Sequence, residues 1–220
     1  VERITLNDTY MKELIVLMAW HQESDQAKCH AFEENKRSFI THNPELDILT
    51  IMNPFSDQKE AWLGTDLAIF EWYQINRDKY VAKRYLIVEW DCWCDCNLTD
   101  YFSRVWDCDL VVPNIKYPER DDWYWFNTLA KLPASARLHA TGITPLCGIL
   151  LSKVAMDAIG QEILKPEYGG LNSELRLGTI ATMLNYDPIV NPVYNRSLGW
   201  RATGLFDTKY KGLHHPRKKI

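Results

Sequence analysis

No stretch of this chain reaches the roughly 18 consecutive apolar residues of a membrane-crossing helix, so no transmembrane segment is expected. The earliest apolar stretch, residues 12–20, has a core of only a few residues and no small-residue cleavage site. It does not read as a secretory leader. Six cysteines are present, but no C-x-x-C pair. Cys92, Cys94 and Cys96 stand too close along the chain to bridge one another easily. Reduced, partly buried thiols in a cytoplasmic protein are the expectation, and a soft-metal site on the triplet is the alternative. Low-complexity and disorder-type composition is absent. So is an excess of positive charge: 25 Lys and Arg stand against 29 Asp and Glu, a net charge of −4. The last twelve positions nevertheless hold Lys209, Lys211, Arg217, Lys218 and Lys219 and no acid. An acidic body with a basic tail is a poor nucleic-acid binder, and no such partner is expected. The tail reads as a solvated end or as a clamp on phosphate. Also missing is a glycine-rich or basic loop after the first apolar stretch, where the chain runs Ala19-Trp20-His21-Gln22-Glu23.

What is present suffices for one sizeable core: 220 residues, 46% of them hydrophobic and 25% charged. The apolar pattern switches between strand-like and helix-like periods. It predicts a strand over 13–19, a helix over 24–40, and a strand over 47–52 closed by Asn53-Pro54. A helix over 65–80 follows, with Thr65 or Asp66 as its cap. Strands are expected over 85–89 and 109–112, the latter stopped by Pro113-Asn114. In the second half, an aromatic helix opens at 121–126 and a strand spans 144–151. Helices cover 152–164, capped by Ser152, and 172–185, started by Asn172 or Ser173, with a Gly169-Gly170 turn between them. This order predicts an α/β chain with a mixed, mostly parallel sheet and helices on both faces. No repeat or linker interrupts it, so residues 1–220 are expected to form one domain.

The most telling segment is Tyr85-Leu86-Ile87-Val88-Glu89-Trp90-Asp91. An apolar strand ends in two carboxylates two residues apart, which an extended chain would place on one face. In open α/β sheets the carboxyl edge is where ligands bind. Two hard oxygen donors there suit Mg²⁺ or Mn²⁺, and such a cation suits a diphosphate. The structural alternative is a solvated loop after a core strand. A second acid-x-acid triplet, Asp107-Cys108-Asp109, precedes its strand and so falls at the opposite edge; it reads as structural. Trp20 and His21, at the end of the first strand, belong to the same edge loops as Glu89. Trp123, Tyr124, Trp125 and Phe126 read as core or as a sugar-stacking surface.

The element order, with Glu89-Trp90-Asp91 after a central strand and Trp62-Leu63-Gly64-Thr65-Asp66 upstream, resembles the nucleotide-diphospho-sugar glycosyltransferases of the Rossmann-like GT-A fold. The likeness covers most of the chain in the order of its elements and few residues in its motifs. The metal element departs from Asp-x-Asp, and the chain is short for the class. The resemblance implies a nucleotide-binding half over about 1–115 and an acceptor half over about 116–220. It implies Mn²⁺ or Mg²⁺ on Glu89, Asp91 and His215. It also implies a base-and-ribose loop at Trp20 and His21, and a contact from Asp66 to nucleoside or sugar. Gly142 and Gly148 would flank a segment lining the donor sugar, where glycine lets a backbone approach a ligand; a plain sheet strand with a turn glycine is the alternative.

Glu174 starts a helix, where its charge favours the helix dipole. The resemblance makes it the base that deprotonates the acceptor hydroxyl in an inverting reaction. Arg176 would pair with phosphate or with a nearby acid. Arg217 and Lys218 would offset charge on the departing diphosphate. The implied partners are a nucleotide-sugar donor and a saccharide or other hydroxyl acceptor. A metal-dependent nucleotidyl or phosphoryl transferase and a non-catalytic nucleotide-sugar-binding protein are the rival readings. The missing phosphate loop counts against the first.

Overall fold

The structure, a computed structural model, describes residues 11–21, 24–54, 58–193, 198 and 211–218. In chain order its elements are β1 (Lys12–His21), α1 (Gln26–His42), β2 (Asp47–Asn53), α2 (Gln58–Asn76), β3 (Ala82–Glu89), β4 (Trp93–Cys94), α3 (Leu98–Phe102) and β5 (Leu110–Val112). They continue with β6 (Ile115–Lys116), α4 (Ala134–Arg137), β7 (Gly142–Ile143), β8 (Ile149–Ser152), α5 (Lys153–Ile163), α6 (Ser173–Met183), β9 (Ile189–Val190) and β10 (Leu213–His214).

Six strands form one sheet in the order β2-β1-β3-β8-β5-β9. β1 runs parallel to β2 and β3, and β5 runs parallel to β9. β8 opposes both of its neighbours, so it alone runs against the rest. This is the mixed, mostly parallel sheet expected. Both halves of the chain contribute strands to it.

Alternation along β1 explains its unbroken apolar run. Ile15, Leu17 and Ala19 face a core shared with Ile69, Phe70 and Tyr73 of α2, Met156 of α5 and Ile180 of α6. Leu14, Val16, Met18 and Trp20 face a second core with Ala31, Phe32 and Phe39 of α1. Helices therefore cover both faces, and a strand buried on both sides carries no polar alternation. Each fully buried aliphatic or aromatic side chain contributes about 1.5–3 kcal/mol. The register sets Ala19 level with Ile51 and Glu89, so Trp20, His21, Asn53 and Glu89 emerge at one edge.

Several boundaries differ from expectation. α2 begins at Gln58, so Thr65 and Asp66 lie inside it and cap nothing. The helix runs through Gly64, and Thr65 Oγ1 donates to Ala61 O at 2.7 Å. Of the strand expected over 144–151 only the end forms, as β8; residues 144–148 lie outside any strand and include Pro145, which has no N–H for a ladder. The aromatic helix is a 3-10 segment, Tyr124–Lys131, with no fully buried residue. Ser152 caps α5 and Asn172 caps α6 through side-chain oxygens, as expected. Ser152 Oγ also donates to Asp109 Oδ1 at 2.5 Å, a structural role for that acid at the edge opposite Glu89. All six cysteines are free thiols. Among the described residues no helix is long and apolar enough to cross a membrane.

Candidate active site

Glu89 is the last residue of β3, and the chain turns at once. The Cys92 N–H donates to Glu89 O at 3.0 Å across Trp90 and Asp91. The two carboxylates therefore converge through a turn, not through strand alternation. β10 pairs antiparallel with β4 and so brings the C-terminal segment to this turn. Successive histidines then diverge. His214 Nε2 stands 3.2 Å from Asp95 Oδ1. His215 Nε2 stands 3.0 Å from Glu89 Oε2 and 3.1 Å from Asp91 Oδ1. Lys218 Nζ lies 3.6 Å from Asp91 Oδ2.

Burial works against charge on Asp91, but the His215 ring and the Lys218 ammonium outweigh it and hold its pKa below the usual carboxylate range. Burial likewise disfavours the imidazolium of His215, yet Asp91 and the other groups around it raise its pKa well above the ordinary value.

Glu174 approaches from α6. Asn172 Oδ1 accepts from the N–H groups of Glu174 and Leu175, at 3.0 and 3.2 Å. Ser173 Oγ donates to Trp62 O at 2.7 Å and ties the start of α6 to α2. Glu174 is 7% exposed, so its side chain turns inward and does not merely decorate the helix dipole. Its Oε1 accepts from Thr144 Oγ1 at 2.9 Å and from Leu146 N–H at 3.1 Å. Burial, then the charge of Glu89, push the Glu174 pKa up to about 8.

These groups meet in one cavity of about 230 Å³, where Glu89, Asp91, His215 and Lys218 face Glu174. Trp62 and Trp125 wall it. A smaller cavity of about 20 Å³ adjoins it and shares Trp62, Glu89 and Trp90; Trp20, His21, Asn53 and Thr65 line its far side. The Trp20 ring stacks on Phe32 at 4.5 Å and meets Trp90 edge-on at 5.5 Å.

Ligand atoms of Glu89, Asp91 and His215 lie within 4.8 Å of one another, the one such His/Cys/Asp/Glu group among the described residues. The Cys92, Cys94 and Cys96 triplet forms none. Asp91 Oδ1 is buried without a hydrogen bond of good geometry. Two carboxylates and an imidazole gathered this closely fit a divalent cation such as Mn²⁺ or Mg²⁺.

Other candidate residues fall elsewhere. Asp66 and Arg176 are both 0% exposed. Arg176 Nε and Nη2 donate to the two Asp66 carboxylate oxygens at 2.8 and 2.5 Å. Its remaining donors go to the carbonyls of Leu63, Tyr168 and Leu171. This pair joins α2 to α6 and lines neither cavity, so Arg176 takes the nearby acid of its two expected partners, and Asp66 is held by it instead of facing the expected nucleoside or sugar. Gly142 also faces no ligand: a Cβ there would come within 2.4 Å of the Trp123 ring, so the close approach it permits is to indole. Gly148 has φ 80°, a turn requirement. The Arg217 guanidinium lies 3.7 Å over the Trp93 ring and away from the cavity, while its N–H donates to Asp91 O at 2.6 Å.

No family model and no curated protein matches the sequence. Solved structures do. A glycosyltransferase involved in the glycosylation of the major capsid of PBCV-1 superposes with TM-score 0.50 at 10% identity, covering 81% of each chain. The fold is that of the GT-A glycosyltransferases. Mouse xyloside xylosyltransferase 1 matches at TM-score 0.48 and 11% identity over 94% of this chain and 99% of its own. Staphylococcus aureus TarS matches at TM-score 0.42 and 13% identity over 81% of this chain, which spans 58% of the TarS chain compared.

Within this GT-A frame, sequence reasoning held Trp62, Thr144 and Pro145 only as members of longer segments, and Asn172 and Ser173 only as helix starts, not as surroundings of Glu174. Asn172 had a readable signal as a helix cap two residues before an acid. That Trp62 lines the cavity of Glu174 and Thr144 hydrogen-bonds its carboxylate was not readable, because they come from elements far apart in sequence.

Proposed function

We propose that this chain transfers a sugar from a nucleotide-diphosphate donor to a hydroxyl acceptor. The observation that carries the reading is the convergence of Glu89, Asp91 and His215 with Glu174 in one cavity at the carboxyl edge of the sheet. Glu89, Asp91 and His215 would hold Mn²⁺ or Mg²⁺. The cation would offset charge on the leaving diphosphate as a Lewis acid and, by neutralising Glu89, remove one cause of the raised Glu174 pKa. Lys218 adds an ammonium beside the same oxygens; Arg217 serves through its backbone. Trp20 and His21 stand at the same sheet edge as Glu89 and would contact base and ribose where the donor extends along it. Glu174 receives two hydrogen bonds on Oε1, which orients Oε2 as the base for an acceptor hydroxyl if the reaction inverts configuration. If it retains configuration, Glu174 positions the acceptor. Trp62 and Trp125 offer apolar faces to a saccharide acceptor. The chain acts as one domain in the cytoplasm, its first half binding nucleotide and its second half the acceptor.

The test is thermal shift with UDP, GDP and CDP, each with and without Mn²⁺, followed by release of sugar from the donor that binds. One nucleotide should raise the melting temperature in a Mn²⁺-dependent way. If none does, the transferase reading is lost. Binding without turnover on any donor and acceptor would instead leave a nucleotide-sugar-binding protein.

A further inference from the structure

Helix α1 belongs to neither cavity, yet it carries a buried polar row on the side facing the turn after β3. Asn35 is 0% exposed and Ser38, one turn on, is 4% exposed. The Asn35 side-chain amide donates twice: to Trp90 O at 3.1 Å and to Arg217 O at 3.0 Å. Trp90 is the residue between Glu89 and Asp91, and Arg217 lies two positions beyond His215. The Arg217 N–H closes the ring by donating to Asp91 O. One amide thus holds the backbone bearing both carboxylates against the backbone bearing the imidazole. Both neighbours are carbonyl oxygens, so the NH₂ must face them and the amide orientation is dictated. Its Oδ1 is left buried with no partner.

We propose that Asn35 is a positioning residue for the cation site, clamping the Glu89-Trp90-Asp91 turn to the His215 segment. The proposal rests on the reading that these three side chains hold a divalent cation. Asn35 touches none of them. It acts by fixing the spacing of the two main-chain segments that carry them, as outer partners of metal ligands do. A two-donor fork is needed because the carbonyls of Trp90 and Arg217 belong to separate segments; a hydroxyl offers one donor and an aliphatic residue none.

Ser38 supplies the control. It is equally buried, its Oγ accepts from the Cys94 N–H at 2.9 Å, and it donates to Asn35 O, but it reaches neither the carboxylate turn nor Arg217. The experiment compares the wild type, Asn35→Ala, Asn35→Asp and Ser38→Ala. Mn²⁺ affinity is read by electron paramagnetic resonance. Amide hydrogen exchange of a peptide spanning 211–218 is read without metal. Either Asn35 variant should weaken Mn²⁺ binding roughly 10–100-fold and speed exchange in 211–218, whereas Ser38→Ala lowers the melting temperature but leaves Mn²⁺ affinity within about twofold. Asn35→Asp keeps the shape and Asn35→Ala removes it, so either folded variant suffices. Wild-type Mn²⁺ affinity in a folded Asn35 variant, or unchanged exchange in 211–218, overturns the clamp. If the wild type binds no Mn²⁺, the cation reading falls and the exchange measurement alone judges the clamp.

Discussion

Two buried groups of opposite charge lie within this fold, and they differ in what is left over. Asp66 and Arg176 satisfy each other: the guanidinium covers both carboxylate oxygens, and its other donors reach three backbone carbonyls. Glu89 and Asp91 stand 3.0 and 3.1 Å from His215 Nε2, less tightly held, and Glu89 is only partly buried. Three side chains able to hold a cation crowd together, Asp91 Oδ1 lacks a good hydrogen bond, and a third acid, Glu174, is held with its pKa near 8 in the same cavity. A satisfied buried charge pair is architecture, while an unsatisfied one facing a cavity is a place for a ligand. Charge and burial alone do not separate the two; the count of open valences does.

The sharpest way to break this comparison is Arg176→Leu. It strands a buried Asp66 carboxylate and three carbonyls, and should cost roughly 3–5 kcal/mol of unfolding free energy by chemical denaturation. A loss below 1 kcal/mol, on the order of a surface ion pair, would show that the pair is not architectural. Asp91→Ala should do the opposite. Sugar transfer should fall by roughly 10²–10³-fold and the Mn²⁺-dependent nucleotide shift should vanish, with a smaller change in melting temperature than in the Arg176 variant.

Glu174 sharpens the contrast through pH. The folded chain keeps its proton up to about pH 8, whereas the unfolded chain releases it near the ordinary carboxyl value of 4.5. Between those pH values the native state binds more protons, so stability falls as pH rises. Glu174→Gln should remove up to roughly 1.4 kcal/mol per pH unit from that slope in the metal-free protein. An unchanged slope would mean that Glu174 is ionised in the fold. The smallest effect belongs to a residue in neither group: Ser152→Ala removes the α5 cap and should cost about 1 kcal/mol with no effect on nucleotide binding.

Much of the frame was legible beforehand. β1 and β3 announced themselves as apolar runs because both of their faces are covered, and β2, half-buried at the sheet edge, was readable from its apolar residues before Asn53-Pro54. Ser152 and Asn172 were readable as caps because capping is local chemistry. The second half was harder. Only the end of the strand expected over 144–151 forms; in the first half, α2 begins at Gln58, ahead of the cap expected at Thr65 or Asp66. At the site, Glu89 and Asp91 were found for a partly mistaken reason, since a turn and not alternation brings them together. Asp66 and Arg176 drew attention for their charge, but nothing local reveals that residues 110 positions apart neutralise each other. Asn35 stayed invisible in a helix that reads as polar throughout.

Local pattern determined the strands, the caps and the acid-tipped end of β3, because hydrophobic period and capping act within a few residues. Tertiary structure decided which charges are spent and which remain open. Hydrogen bonds such as Asn35 to Arg217 close over most of the chain, and whether a buried group finds its partner depends on where the whole fold puts it.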